Sequence, residues 1–346
     1  MVVVQFEEGD IINNKITVVE KLGEGGFGAV YKVTLEGHAN QVFAMKSEQR
    51  NAGGVLKMEV MILRKLEEKR GTHFCRCVEA GCAGNMLYLV MTMLGKSLSD
   101  IRMSLPGTKL SMGCALGVGK QCVEAIRELH GIGYLHRDLK PSNFACGAEK
   151  NSRKIFLFDF GLARRYLAAG GKMRQPRLYP GFRGTARYAP LSCHVQREQS
   201  RKCDLESWLY QQVELTRGGL PWRSFEVTEM IGMYKERCRF GVGLKEFLGG
   251  CPREYVEVLR YIDRLRYHDA PNYKYLIACM DRAMKSIGLS EFPYDWEESS
   301  PLYSAHLAGL DAMAEEERKR LERQERKAAR NRTQTTAKTV SLFHET

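Results

Sequence analysis

No two cysteines in this 346-residue chain are spaced C-x-x-C, although it contains 11 of them. The nearest cluster, His73, Cys75, Cys77 and Cys82, runs C-x-C and then a distant Cys, which is not a zinc-site spacing. Periodic burial in strands explains it as well, so reduced thiols are expected. A long apolar run is also lacking, so no transmembrane helix and no membrane partner are expected. The opening Met1-Val2-Val3-Val4-Gln5-Phe6-Glu7-Glu8 has no basic flank and too short an apolar run for a secretory signal. A cytoplasmic location is therefore the expectation, with the nucleus left open.

Acidic residues are missing from one stretch altogether. From Phe160 to Pro190 there is no Asp or Glu, while Arg164, Arg165, Lys172, Arg174, Arg177, Arg183 and Arg187 all fall there. The whole chain carries +12, of which the tail from Asp311 onward accounts for only +2, leaving +10 on the body. Such a field attracts acidic partners. A nucleic-acid surface would interleave the basic residues with aromatics or show a binding motif. Neither is evident, so nucleic acid is not an expected partner. With 44% hydrophobic and 27% charged residues, the composition is that of a globular protein, long enough for one two-lobed domain and a tail.

What is present begins with Leu135-His136-Arg137-Asp138-Leu139-Lys140-Pro141-Ser142-Asn143. Three chemical types fall within six residues. Asp138 is a carboxylate able to align a hydroxyl and take its proton. Lys140 is a nearby cation, and Asn143 has a side-chain carbonyl suited to a hard metal ion. A charged surface loop would show the same residues, so partners are needed elsewhere.

Residues Ile16 to Leu22 read as a strand ending in Leu22-Gly23-Glu24-Gly25-Gly26-Phe27-Gly28-Ala29-Val30. Glycines let backbone approach phosphates closely. Alone, G-x-G-x-x-G is a weak signal, shared with dinucleotide-binding folds in which the third glycine opens a helix. Here Val30, Tyr31 and Val33 continue as a strand. A turn at Gly37-His38-Ala39-Asn40 leads to Val42-Phe43-Ala44-Met45-Lys46. From Gly54 to Leu66, Val55, Met58, Met61, Ile62 and Leu66 recur at helical spacing, with Glu59 on a different arc. Glu59, thirteen residues after Lys46, is the candidate ion-pair partner for it.

Tyr88 to Met91 is strand-like, and the pattern lapses over Thr92-Met93-Leu94-Gly95. Met112 to His130 is a helix interrupted by Gly117 and Gly119, and Lys154 to Gly161 is a buried strand ending in Asp159-Phe160-Gly161.

In this order and spacing the chain resembles a eukaryotic serine/threonine protein kinase. Gly181 to Ala189 and Cys203 to Trp208 resemble the casein kinase I group. Leu220-Pro221-Trp222-Arg223, Ile231 to Glu236 and Tyr294 to Glu297 are similar to its tau-tubulin kinase branch, as a divergent member. The resemblance implies an α+β bilobal kinase fold, with a small antiparallel sheet and one main helix in the N-lobe and a larger helical C-lobe. It implies a domain over 16–298, divided into an N-lobe at 16–91, a hinge at 92–95 and a C-lobe at 96–298. Residues 1–15 precede it and a charged tail, 299–346, follows.

The resemblance further implies ATP and Mg²⁺. Leu22, Gly23, Gly25, Gly28, Val30, Ala44, Lys46, Met91 and Met93 would surround the nucleotide, with Glu59 holding Lys46. Asn143 and Asp159 would hold the metal, Asp138 the substrate hydroxyl, and Lys140 the developing charge. Asp204 would bond the catalytic-loop backbone. Arg183, Arg187, Gly218 and Lys235 would form an anion pocket for acidic or already phosphorylated protein substrates. Two departures stand out: Leu191 follows Ala189-Pro190 where most kinases have Glu, and Cys203 stands where relatives often have an acid. The rival reading is a catalytically silent scaffold that binds acidic partners. None of the residues such proteins usually lose is lost here.

In the tail, Ala314 to Arg330 reads as a solvated helix with Glu315/Lys319, Glu316/Arg320 and Glu322/Arg326 at i,i+4. Asn331 to Thr346 reads as disordered. Ala314, Leu321 and Ala328 make too weak a heptad seam for a coiled coil, and a monomer is expected.

Overall fold

In the computed structural model the described residues are 6–25, 28–38, 41–50 and 53–342, with side chains as far as Gln324 except Ala169. Residues 1–5, Gly26 and Phe27 of the glycine loop, Ala39 and Asn40 of the expected turn, and 343–346 of the tail lie outside them.

The chain opens with β1 (Ile11–Ile12), β2 (Ile16–Gly25), β3 (Gly28–Leu35) and β4 (Val42–Gln49), followed by helix α1 (Val55–Glu68), β5 (Cys77–Ala83) and β6 (Met86–Thr92). The strands form one antiparallel sheet in the order β1-β2-β3-β4-β6-β5. Alternation along β3 and β4 gives the sheet two faces. On one face Tyr31, Val33, Phe43, Met45, Tyr88 and Val90 make a closed apolar core. The opposite face, bearing Val30, Ala44 and Lys46, is half-buried and turns to α1 and the cleft.

The larger lobe starts with β7 (Leu94–Ser97), α2 (Leu98–Ser104), α3 (Met112–Gly131), β8 (Tyr134–Leu135), β9 (Phe144–Gly147), β10 (Ile155–Leu157) and β11 (Arg164–Arg165). It continues with α4 (Leu191–His194), α5 (Arg201–Arg217), α6 (Thr228–Arg237), α7 (Gly241–Leu248), α8 (Glu254–Arg264), α9 (Tyr273–Ser286) and α10 (Tyr303–Leu342). Two small antiparallel sheets, β10-β9-β7 and β11-β8, frame the loop from Leu135 to Phe144. This is the α+β bilobal architecture that the sequence implies.

Gly119, inside α3, carries a packing contact: a Cβ there would meet the Gln212 side chain of α5 at 2.6 Å. A Cβ on Gly117 would likewise meet the Glu291 side chain at 2.3 Å, so both helix interruptions in the sequence are sites of close packing. In α5 nearly every residue is buried, including Asp204, Glu206, Gln212 and Glu214. Buried polar groups need partners, and several of these face the catalytic loop and the segment before α4.

Two expectations change. Glu59 lies on the buried arc of α1 with Leu56, Ile62, Leu63 and Leu66, while Met61 is exposed. Its partner on the neighbouring strand β4, Lys46 at 2.8 Å, is what makes that burial tolerable. The tail helix starts at Tyr303 rather than Ala314 and runs past Asn331. Its early turns pack on α2. His306 Nδ1 lies 2.6 Å from Ser104 Oγ, and a Cβ on Gly309 would come within 1.9 Å of the Ser104 carbonyl oxygen. Of the expected ion pairs Glu315–Lys319 forms at 3.1 Å, while Arg320 turns to Glu317.

Candidate active site

Lys46 sits on β4 opposite Val30 of β3 and Leu89 of β6. Its Nζ is 2.8 Å from Glu59 Oε2 and 3.0 Å from Asp159 Oδ1. Glu59 is almost fully buried. Burial alone would lower the Lys46 pKa, but the two carboxylates outweigh it and hold it well above the ordinary lysine value. Burial would likewise raise Asp159, yet the Lys46 charge and hydrogen bond bring it below the usual carboxylate value. Both groups are therefore charged at neutral pH, an ammonium facing an open carboxylate.

Asp159 is linked to the catalytic loop through backbone. Phe158 N–H donates to the Asn143 carbonyl oxygen at 3.1 Å, and His136 Nε2 lies 3.1 Å from the Phe158 carbonyl oxygen. Asn143 Nδ2 donates to the Asp138 carbonyl at 2.9 Å. That bond leaves the amide oxygen of Asn143 as a metal-type donor, on the same turn as Asp138. Lys140 Nζ is 2.7 Å from Asp138 Oδ2 and 3.1 Å from Thr185 Oγ1. The backbone N–H and the hydroxyl of Thr185 both donate to Asp138 Oδ1 at 2.8 Å. Lys46, Asp159, Asn143, Asp138 and Lys140 are thus joined by one run of hydrogen bonds where the two lobes meet.

Two residues there hold left-handed backbone, Arg137 at φ 69° and Asp159 at φ 63°. Such conformations are costly for non-glycine residues and persist where surrounding bonds enforce them. Asp204 enforces the first. Its carboxylate accepts from the N–H groups of His136 and Arg137 at 2.8 and 2.9 Å, with His130 Nε2 also at 2.8 Å.

The nucleotide-side residues fall on adjoining strands. Gly23 pairs with Val30, and Ala44 pairs with Met91, which is largely buried. Met93 is the residue between β6 and β7, and Leu22 is exposed at the mouth. Gly25 pairs with Gly28 across the hairpin. Gly28 has a steric role, since a Cβ there would lie 1.8 Å from the Ser47 carbonyl oxygen. A carboxylate and an amide carbonyl beside a paired lysine and a glycine hairpin suit a polyphosphate and a divalent cation.

The four residues assigned to an anion pocket do not come together as a set. Lys235 is fully buried. Its Nζ donates to the Ala186 and Ala189 carbonyls at 2.8 and 2.6 Å and lies over the rings of Tyr210 and Trp222. The backbone N–H of Gly218 is engaged in closing α5 on the Glu214 carbonyl. Helix geometry decided both outcomes, because α6 turns Lys235 inward under the Ala186–Ala189 segment and α5 ends on the Gly218 N–H. Arg183 is exposed, and Arg187 is half-exposed with Nη1 3.9 Å from Glu214. His73 is likewise spent on structure, with Nδ1 2.7 Å from the Ile155 carbonyl and Nε2 3.2 Å from Glu124.

Sequence reasoning missed Glu206, Glu198 and Glu214 because their partners are distant in the chain. Glu214 bonds the buried Tyr188 hydroxyl. The neutral-looking Leu191 was the available signal for Glu206: a missing acid implies another acid nearby.

Comparison with known proteins agrees with this geometry. The protein kinase domain family model matches residues 16–240. A Dictyostelium discoideum protein named "Probable serine/threonine-protein kinase" is 37% identical over 84% of this chain, and the match spans 58% of that protein. The Caenorhabditis elegans serine/threonine-protein kinase spe-6 is 33% identical over 83% of this chain and 76% of its own length. An Encephalitozoon cuniculi protein named "Probable casein kinase I homolog" is 32% identical over 83% of this chain and 94% of its own. With a two-lobed fold, one cleft holding a paired lysine and a carboxylate on a lysine-flanked loop, the chain belongs to the protein kinase family and is an ATP-dependent serine/threonine kinase.

Proposed function

We propose that this kinase is of the casein kinase I type, close to the tau-tubulin kinase branch, and prefers acidic or already phosphorylated protein substrates. The observation that carries the preference is the run from Phe160 to Pro190, which has seven basic residues and no acid. Arg165, Lys172, Arg174 and Arg183 of that run are exposed. Guanidinium groups bind carboxylate and phosphate in a bidentate way, so a peptide crossing this surface gains from acids near its target residue. The casein kinase I homolog among the relatives supports the subgroup.

In the proposed mechanism Lys46, held by Glu59, binds the α- and β-phosphates, and the β2–β3 hairpin covers them. Asn143 and Asp159 would hold Mg²⁺, which supplies charge neutralisation on the phosphates. Asp138 accepts the hydrogen bond of the incoming serine or threonine hydroxyl and takes its proton as the oxygen bonds to the γ-phosphorus, while the bond from that phosphorus to the β–γ bridging oxygen breaks and ADP leaves. Thr185 and Lys140 fix the orientation of that carboxylate, and Lys140 also meets the charge that grows on the transferring group.

Two measurements test this reading. Asp138→Asn should lower phosphoryl transfer by about a thousandfold while ATP binding and folding persist; retained activity refutes the role. A peptide library presented with and without priming phosphates should show enrichment of acid or phosphate around the target residue. Indifference to those groups refutes the substrate preference and leaves the kinase assignment standing.

A further inference from the structure

Between α4 and α5 lies Glu198, an acid whose side chain is 4% exposed and lies under the basic segment. Arg177 grips it with both arms of its guanidinium, Nε at 2.5 Å from Oε2 and Nη2 at 3.0 Å from Oε1. Arg164 Nε stands 3.9 Å from the same Oε1. Burial would raise the Glu198 pKa, but the bonds and charge of Arg177 and the charge of Arg164 bring it below the ordinary value. A third arginine feels the cluster. Arg137 is lowered to about 10 by burial and by the like charges of Arg164 and Arg177, with Asp204 and Glu198 opposing that fall.

This cluster reaches the reacting atoms in a few steps. Arg137 precedes Asp138 and donates from Nε to the Leu162 carbonyl at 2.7 Å. Arg164 pairs with Leu135 in the β11-β8 ribbon that leads into the catalytic loop. Gln199, next to Glu198, donates to the Arg183 carbonyl at 3.1 Å. Two residues further on, Thr185 holds Asp138. Consecutive residues of one loop thus pin both halves of the segment.

The segment itself offers no replacement for this charge. From Phe160 to Pro190 there is no serine, no acid and a single threonine, Thr185, whose hydroxyl is committed to Asp138. A serine/threonine kinase finds no free target hydroxyl there.

We propose that Glu198 is a positioning residue: a carboxylate built into the chain that holds Arg177 and Arg164 together beside the catalytic loop and so keeps the segment ordered for phosphoryl transfer without an added phosphate. The guanidinium groups of Arg177 and Arg164 converge on this one acid and repel each other, and the buried carboxylate, bonded bidentately by Arg177, offsets that repulsion. Glu198 bonds none of Lys46, Asp138, Asn143 or Asp159, so its effect passes through Arg164 and Arg177. The inference rests on the kinase activity and not on the substrate preference, and a peptide without acidic residues serves as the assay substrate.

The test compares wild type with Glu198→Gln and Glu198→Ala. The Gln variant keeps the shape and removes the charge. It should lose about tenfold or more in kcat with the KM for ATP within about twofold. The thermal midpoint, read on the same sample, should show the protein folded at the assay temperature. In the Ala variant, sulfate at tens of millimolar should fill the vacated space and recover about half of the lost kcat, while leaving wild type unimproved. The proposal is overturned if Glu198→Gln keeps kcat within about twofold of wild type. It is also overturned if its loss merely follows the unfolded fraction, or if a folded Glu198→Ala variant gains nothing from sulfate.

Discussion

Glu206 and Arg239 form an ion pair inside the larger lobe, with Oε1 and Nη2 2.7 Å apart and side chains 3% and 8% exposed. The same Oε1 accepts from the Leu191 N–H at 3.0 Å and from the Tyr210 hydroxyl at 2.6 Å. Most kinases place a glutamate at the position of Leu191 for a structural ion pair. Here an acid on α5 pairs with Arg239 and also satisfies the backbone of residue 191. Removing one partner of such a pair leaves the other buried and uncompensated. Glu206→Gln and Arg239→Ala should each cost about 3–5 kcal/mol in urea unfolding. The double variant should cost less than the sum of the two.

Lys46→Met should reduce transfer to a protein substrate by about a hundredfold or more, with circular dichroism unchanged. Glu59→Gln should have a smaller effect, about tenfold, because Asp159 still holds the lysine. Equal losses in the two variants would mean that Glu59 does more than orient Lys46.

Lys235 predicts a pH dependence of stability. Burial is the main cause of its fall to about 7 from 10.5, with the Arg239 charge adding to it and Glu206 opposing. Between these values the unfolded chain binds the proton and the folded chain does not, so stability from this group rises with pH. Below about 7 the folded protein must bury an ammonium. The neighbouring His194 is pushed down to about 4 by burial and by Lys235, so it stays neutral across this window. Relative to Lys235→Met, wild type should gain up to about 1.4 kcal/mol per pH unit from pH 7 to 9 in urea unfolding. A flat difference between the two proteins refutes the shift.

Gly28→Ala should raise the KM for ATP about tenfold, because the new methyl group must push β3 away from the Ser47 carbonyl beside Lys46. Gly23→Ala, where a Cβ meets nothing within 4 Å, should change it by less than about threefold. Steady-state kinetics at varied ATP separates the two glycines of the same loop.

The catalytic loop, the Asp159-Phe160-Gly161 turn, Lys46 and its helix acid were legible because each is a short run whose chemistry is written in adjacent letters. Glu59 was assigned to the right partner but to the wrong face of α1. Helical periodicity ranks residues by hydrophobicity and does not anticipate that a cation on the facing sheet will draw a carboxylate inward. Lys235 shows the same limit from the other side. The resemblance assigned it to an anion pocket, yet two carbonyls and two aromatic rings receive it in the interior.

By itself, the order of residues determined the two-lobed class, the elements and the reacting groups, because these follow from local pattern and from spacing along one chain. Which charges face each other was decided only by tertiary packing. Arg177 meets Glu198 across 21 residues, Glu206 meets Arg239 across 33, and Lys46 meets Asp159 across 113. An ion pair depends on distance and burial in space, and neither is encoded in the neighbours of a residue along the chain.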